Sequence, residues 1–134
     1  MGLRIHCTMM RFTQFAKLLA ARERGVCNLA LHAALVHQTK WPWLNQLGGC
    51  DFNSDSEFLK AKVMIDPAAM NHPIVKGQSA EFFVEADWTN HDRCVTGLPG
   101  FQVLMRVDEK TYEPVREYFK TRGGKPMGDD HPIA

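Results

Sequence analysis

Histidine, tryptophan and aspartate are the side chains of this sequence best able to do chemistry, and several stand where a chain would change direction. His32 ends the apolar run Leu29-Ala30-Leu31, and His37 follows five residues later. An imidazole at such a place can act as a general acid or base near neutral pH, or ligate a metal. The plainer alternative for His32 is a ring that caps a strand end. His37 could line the same pocket, or be a solvated loop residue. Trp41 and Trp43 bracket Pro42. Aromatic faces stack on sugar rings, and they equally anchor a short helix against a core. His72 precedes Pro73, which restricts it to extended backbone and suits a structural turn. Asp87, in "FFVEADW", can offer a carboxylate to orient an imidazole or share a metal with it. Glu85 is the fallback acid if the strand register differs. His131 stands in the closing "DDHPIA".

These residues do not form a recognisable metal motif, because there is no HExxH and no close His-x-His pair. His32 and Asp87 could supply two ligands, whereas a catalytic metal takes about three protein ligands. This chain alone is not expected to complete that set. The cofactor therefore stays open, with a divalent metal as the candidate. The four cysteines, Cys7, Cys27, Cys50 and Cys94, form no CxxC pair, which speaks against a zinc ribbon or a thioredoxin-type motif. Reduced thiols are expected.

The elements that would position these residues alternate in type. Residues 11–22 carry Phe12, Phe15, Leu18 and Leu19 at helical spacing. Arg22 and Arg24 suit the negative end of the helix dipole, and Gly25 suits its stop. "VCNLAL", residues 26–31, is short and apolar without alternation, as in a parallel strand covered on both faces. Helix, glycine and buried strand together make one unit of an α/β fold. "WPWLNQLGG" reads as a short helix ending at Gly48-Gly49, and "DFNSDSE" as a polar loop. "FLKAKVMID" alternates, with Leu59, Ala61, Val63 and Ile65 on one side and Lys60 and Lys62 on the other. That pattern predicts a half-buried strand near a sheet edge. "NHPIVKG" reads as a turn-rich connection. "EFFVEAD" and "FQVLMRVD" are further strands, and residues from Glu109 onward are mainly loop.

Composition narrows the function classes. The 134 residues are 45% hydrophobic and 23% charged, with a net charge of +1. Basic residues are scattered among acids, so no face is marked for nucleic acid. No apolar run approaches the ~20 residues of a membrane span. The start has no apolar signal segment. These features lead to an expectation of a cytoplasmic chain, unless an export signal preceded this segment.

The ordered series "LALHAA", "WPWLNQLGG", "NHPIVKG", "FFVEADW" and "DDHPIA" resembles the ThuA-like family, named for trehalose utilisation, within the class I glutamine amidotransferase-like superfamily. The resemblance covers roughly residues 12–134. It implies a flavodoxin-like α/β three-layer sandwich, incomplete at both ends. Residues 1–10 would be a poorly defined N-terminal segment and residues 11–134 a partial domain. It further implies carbohydrate utilisation, with a small sugar or oxidised sugar derivative bound at the carboxyl edge of the sheet. His32 falls where the true amidotransferases carry their nucleophilic cysteine, so thioester chemistry and glutaminase activity are not expected. His32 would be the acid/base or metal-binding group and Asp87 its partner. Trp41, Trp43, His37 and His131 would contact the sugar. Asp87 sits in a departure from the family's Asp-Glu-x-Tyr segment, with Ala86 and Thr89 replacing an acid and a tyrosine. A sugar is the expected partner, without nucleic acid or membrane, and assembly into a homo-oligomer is compatible with the residues. Two other readings stay open: a non-catalytic sugar-binding or assembly module, and an inactive gene fragment.

Overall fold

The computed structural model describes residues 5–6, 23–25, 29–30 and 46–134. Two short strands, β1 (Ile5–His6) and β2 (Leu29–Ala30), pair in parallel, Ile5 against Leu29 and His6 against Ala30. Parallel neighbours need a crossover between them. The described piece of that connection is helical at Glu23 and turns at Gly25, whose φ of +69° is open to glycine without penalty. Two parallel strands are compatible with the α/β class expected from the sequence. β1 falls within residues 1–10, for which the sequence suggested no element. A two-residue strand is too short to register as a periodic pattern. The body of the predicted helix lies outside the described residues.

The second sheet has three antiparallel strands in the order β4-β3-β5. β3 spans Phe52–Ile65, β4 Glu81–His91 and β5 Met105–Asp108. Two expectations are corrected here. "DFNSDSE" is not a loop but the first half of β3. Ser54 and Ser56 are buried there because their hydroxyls have partners: Asn90 Nδ2 donates to Ser54 Oγ at 3.1 Å, and the Trp88 N–H to Ser56 Oγ at 2.9 Å. Register shifts between Phe52 and Ser54 and between Asp55 and Phe58 mask any simple alternation. β3 is also the central strand, not an edge. Alternation reports one wet face and does not say which strands lie beside it. On that wet face Lys62 reaches Asp108 of β5 at 3.3 Å and Glu81 of β4 at 3.8 Å.

On the covered face Ala61, Val63, Trp88 and Val107 form one buried cluster, and Ile65, Ala69, Val75 and Leu104 a second. Phe82 and Met105 pack against both. Trp88 is fixed by its indole N–H, which donates to the Leu59 carbonyl at 3.0 Å. The "NHPIVKG" region is turn-rich as expected. His72 Nδ1 accepts from the Ile74 N–H at 3.3 Å, a structural use of that ring. Of "FQVLMRVD", only the second half is strand. After β5 come a 3-10 turn at Glu109–Thr111 and one helical turn at Glu117–Lys120 in otherwise irregular chain. The last residues return beside β5: Val107 N–H donates to the His131 carbonyl at 3.0 Å and Ile133 N–H to the Met105 carbonyl at 2.9 Å. No described helix is long and apolar enough to cross a membrane.

Candidate functional site

A cleft of about 600 Å³ opens along the second half of β4. Its walls include Asp87, Thr89 and His91 of β4, Cys50 before β3, and Phe101 and Val103 before β5. Alternation along β4 explains part of this set. Trp88 and Asn90 turn into the core and are buried, while Asp87, Thr89 and His91 share the opposite side and are half-exposed.

Gly49 closes one end. It is buried, with a φ of +74°, and an added Cβ would lie 2.6 Å from Phe101 Cζ and 2.9 Å from Val95 Cγ1. The absence of a side chain lets the turn before β3 touch the loop before β5. Arg93 Nε donates to the Gly49 carbonyl at 2.7 Å. Asp51 and Asp92 lock the adjoining strand ends: Asp51 N–H donates to Asp92 Oδ1 at 2.7 Å, and Asp92 N–H to the Asp51 carbonyl at 2.9 Å.

His91 stands in the same wall. Its backbone N–H meets Met127 Sδ at 3.2 Å. Its Nδ1 is enclosed and has no hydrogen-bond partner among the described residues. Burial holds its pKa below the ordinary histidine value, and the nearby His131 ring adds to the lowering. The Asp51 backbone and the Asp92 and Asp51 carboxylates pull less strongly the other way. Cys50 also lines the cleft. Burial, helped by Asp92, pushes its thiol up to about 11, so it carries little thiolate at neutral pH.

His131 lies behind this wall and is fully buried. Its Nε2 faces the Thr89 carbonyl at 2.9 Å, and its Nδ1 faces Glu109 Oε1 at 2.7 Å, with Tyr112 Oη at 3.3 Å. A carbonyl can only accept, so Nε2 carries a proton. Glu109 also accepts from the Met127 and Gly128 N–H groups at 2.8 and 2.7 Å. Burial, and secondarily Glu109, raise the Tyr112 pKa. Beside this cluster Arg106 donates from Nε to Asp130 at 2.8 Å and pairs with Asp66, tying three segments together.

Of the residues expected from sequence, Asp87 is in the cleft wall and His131 is in the buried cluster behind it. His32, His37, Trp41 and Trp43 lie outside the described residues. Sequence reasoning passed over His91, although counting in twos from Asp87 along the strand reaches it. Among the described residues no three His, Cys, Asp or Glu side chains cluster so as to hold a metal ion.

The profile of the ThuA family, described as trehalose utilisation, matches residues 7–134. The chain belongs to the ThuA family. The crystal structure of a ThuA-like protein from Bacteroides uniformis, solved at 2.30 Å, superposes on this ThuA chain with a TM-score of 0.75 at 23% identity. The match covers 92% of this chain and 49% of that one. The two therefore share a fold, and the present chain spans about half the length of that protein. No curated protein matches the chain.

Proposed function

We propose that this ThuA chain contributes to carbohydrate utilisation by binding a sugar or oxidised sugar derivative in the cleft along β4. The observation that carries this reading is the position of Asp87, the acid singled out from sequence, in the wall of a cleft of about 600 Å³. That volume lies within the usual range of ligand sites, about 300–1,000 Å³. The wall mixes polar groups with Phe52, Phe101 and Val103, which suits the two faces of a sugar: hydroxyls on the rim and C–H groups against aromatic carbon.

In this reading the parallel pair β1–β2 belongs to a flavodoxin-like three-layer sandwich. His32 stands at the carboxyl end of β2, where open α/β sheets place their ligands. It serves as the acid/base, Asp87 orients it or the ligand, and Trp41, Trp43 and His37 complete the sugar contacts. His131 supports the site from behind through its bonds to Thr89 and Glu109. Glutaminase activity is not proposed. His32 occupies the expected nucleophile position, and the thiol of Cys50 stays protonated.

A titration tests the reading. Trehalose injected into the full chain should give saturable heat, and Asp87→Asn should weaken the affinity by roughly tenfold, the loss of about 1.4 kcal/mol typical of a hydrogen bond to a charged group. Unchanged affinity in Asp87→Asn would remove Asp87 from the site. A second reading, a non-catalytic binding module, is favoured by Ala86 and Thr89 at positions where the family pattern has an acid and a tyrosine. Sugar binding that survives His32→Ala without any turnover would support it.

A further inference from the structure

The His131 ring is fully buried, and the atoms around it decide where its protons sit. Nε2 lies 2.9 Å from the Thr89 carbonyl, which can only accept, so Nε2 carries a proton. Nδ1 lies 2.7 Å from Glu109 Oε1, a hydrogen-bond distance that needs a proton between the two atoms. That proton sits either on the ring, as an imidazolium facing a carboxylate, or on the oxygen, as a neutral pair. Glu109 decides between them. Its Oε1 also accepts from the Met127 N–H at 2.8 Å, and its Oε2 from the Gly128 N–H at 2.7 Å. Three donors converging on one carboxyl favour its charged form, and with it the charged ring.

The other titratable groups around the ring, among the described residues, leave that charge in place. The Tyr112 hydroxyl, 3.3 Å from Nδ1, is kept protonated by burial and secondarily by Glu109. His91 of β4 has its own charged form disfavoured, by burial first and by His131 second. On the closing segment, Asp130 is paired with Arg106 of β5 at 2.8 Å and Asp129 with Lys110 at 2.7 Å.

The position of the ring gives its charge a consequence. On one side it holds Thr89, which lines the cleft. On the other, its own carbonyl takes the Val107 N–H at 3.0 Å, and the next three residues, Pro132, Ile133 and Ala134, line the cleft as well. The ring therefore clamps two walls of the cleft together. Loss of the Nδ1 proton would leave two acceptors facing each other at 2.7 Å in a buried site. The free ring gives up its proton near about pH 6.5, so a clamp that depends on the charged ring loosens as pH rises and not as it falls.

We propose that His131 is an imidazolium at neutral pH, paired with the Glu109 carboxylate, and that its proton is a switch whose loss in alkali frees the closing segment from β4 and β5. This goes beyond the sugar reading and does not depend on which ligand the cleft takes, so its test uses none.

Histidine-selective 15N labelling of the full chain reads the ring directly. At about pH 7.5 both His131 nitrogens should give the signals of protonated nitrogen. As pH is raised to about 9.5 one proton should be lost, and amide protection at Val107 and Ile133, corrected for the intrinsic exchange rate, should fall by roughly tenfold in step with it. Glu109→Gln, which keeps the shape and removes the charge, should give a ring with one unprotonated nitrogen already at about pH 7.5, with the same loss of protection. The wild-type series needs no substitution and stands if that variant does not fold. One unprotonated nitrogen in the wild type at about pH 7.5 would place the shared proton on Glu109 and overturn the ion pair. Loss of the ring proton with unchanged protection at Val107 and Ile133, or retention of both protons throughout the series, would overturn the switch.

Discussion

His91 and His131 differ in how their rings are bonded, although they lie close to each other on the two sides of one strand. His131 is fully buried with acceptors at both ring nitrogens. His91 is half-buried, faces a cleft, and has an enclosed Nδ1 without a partner among the described residues. A buried polar ring that is fully bonded stiffens its surroundings, whereas one left unbonded raises the energy of the site until a ligand meets it. Residue type alone did not separate the two. "DDHPIA" resembles a family motif, and its histidine is bonded at both ring nitrogens. "NHD" at residues 90–92 lies outside the motifs of that resemblance, and its histidine faces the cleft.

The clamp should respond most to substitution. His131→Ala would leave the Glu109 carboxylate buried against Met127 and Gly128 without its ring partner. It would also strand the Thr89 carbonyl. Breaking a buried pair of this kind costs about 3–5 kcal/mol. Urea unfolding should show a correspondingly lower midpoint, and the closing segment should lose amide protection together with β5. A drop below 1 kcal/mol would mean that His131 is no more structural than His91, and the contrast between them would fail.

His91 should matter less to folding, and with a particular sign. Its folded pKa lies below the ordinary value, while the unfolded ring titrates near pH 6.5, roughly the free-histidine value. Between those two pKa values the unfolded chain binds the extra proton. The contribution of this ring is therefore full above about pH 6.5 and is lost as pH falls below it. Unfolding midpoints measured from pH 7.5 down to 5 should decline in the wild type, and His91→Gln should remove part of that decline. An identical decline in the variant would assign the acid sensitivity to other groups.

The same contrast explains how far the sequence could be read. Ala61, Val63 and Ile65 alternate with lysines, and all three are buried as that pattern requires. The first half of β3 was hidden because Ser54 and Ser56 take their partners from Asn90 and Trp88, more than thirty residues away. Asp87 was singled out from its family motif, and counting in twos along the strand from it reaches His91, which lines the same cleft. The approach of Gly49 to Phe101 and Val95 was not legible, since adjacent glycines at 48 and 49 read equally as the end of a helix. His131 and its partners Glu109 and Thr89 come from three separate segments that no local pattern joins.

The most direct test of the account is to map where a sugar touches the chain. In two-dimensional 1H–15N spectra of the labelled full chain, added trehalose should move the amide signals of residues 86–91 and 101–103 and the ring signals of His91. Those of His131 should follow only weakly. Shifts confined to other surfaces, or no shifts at saturating sugar, would contradict the assignment of the β4 cleft as the ligand site.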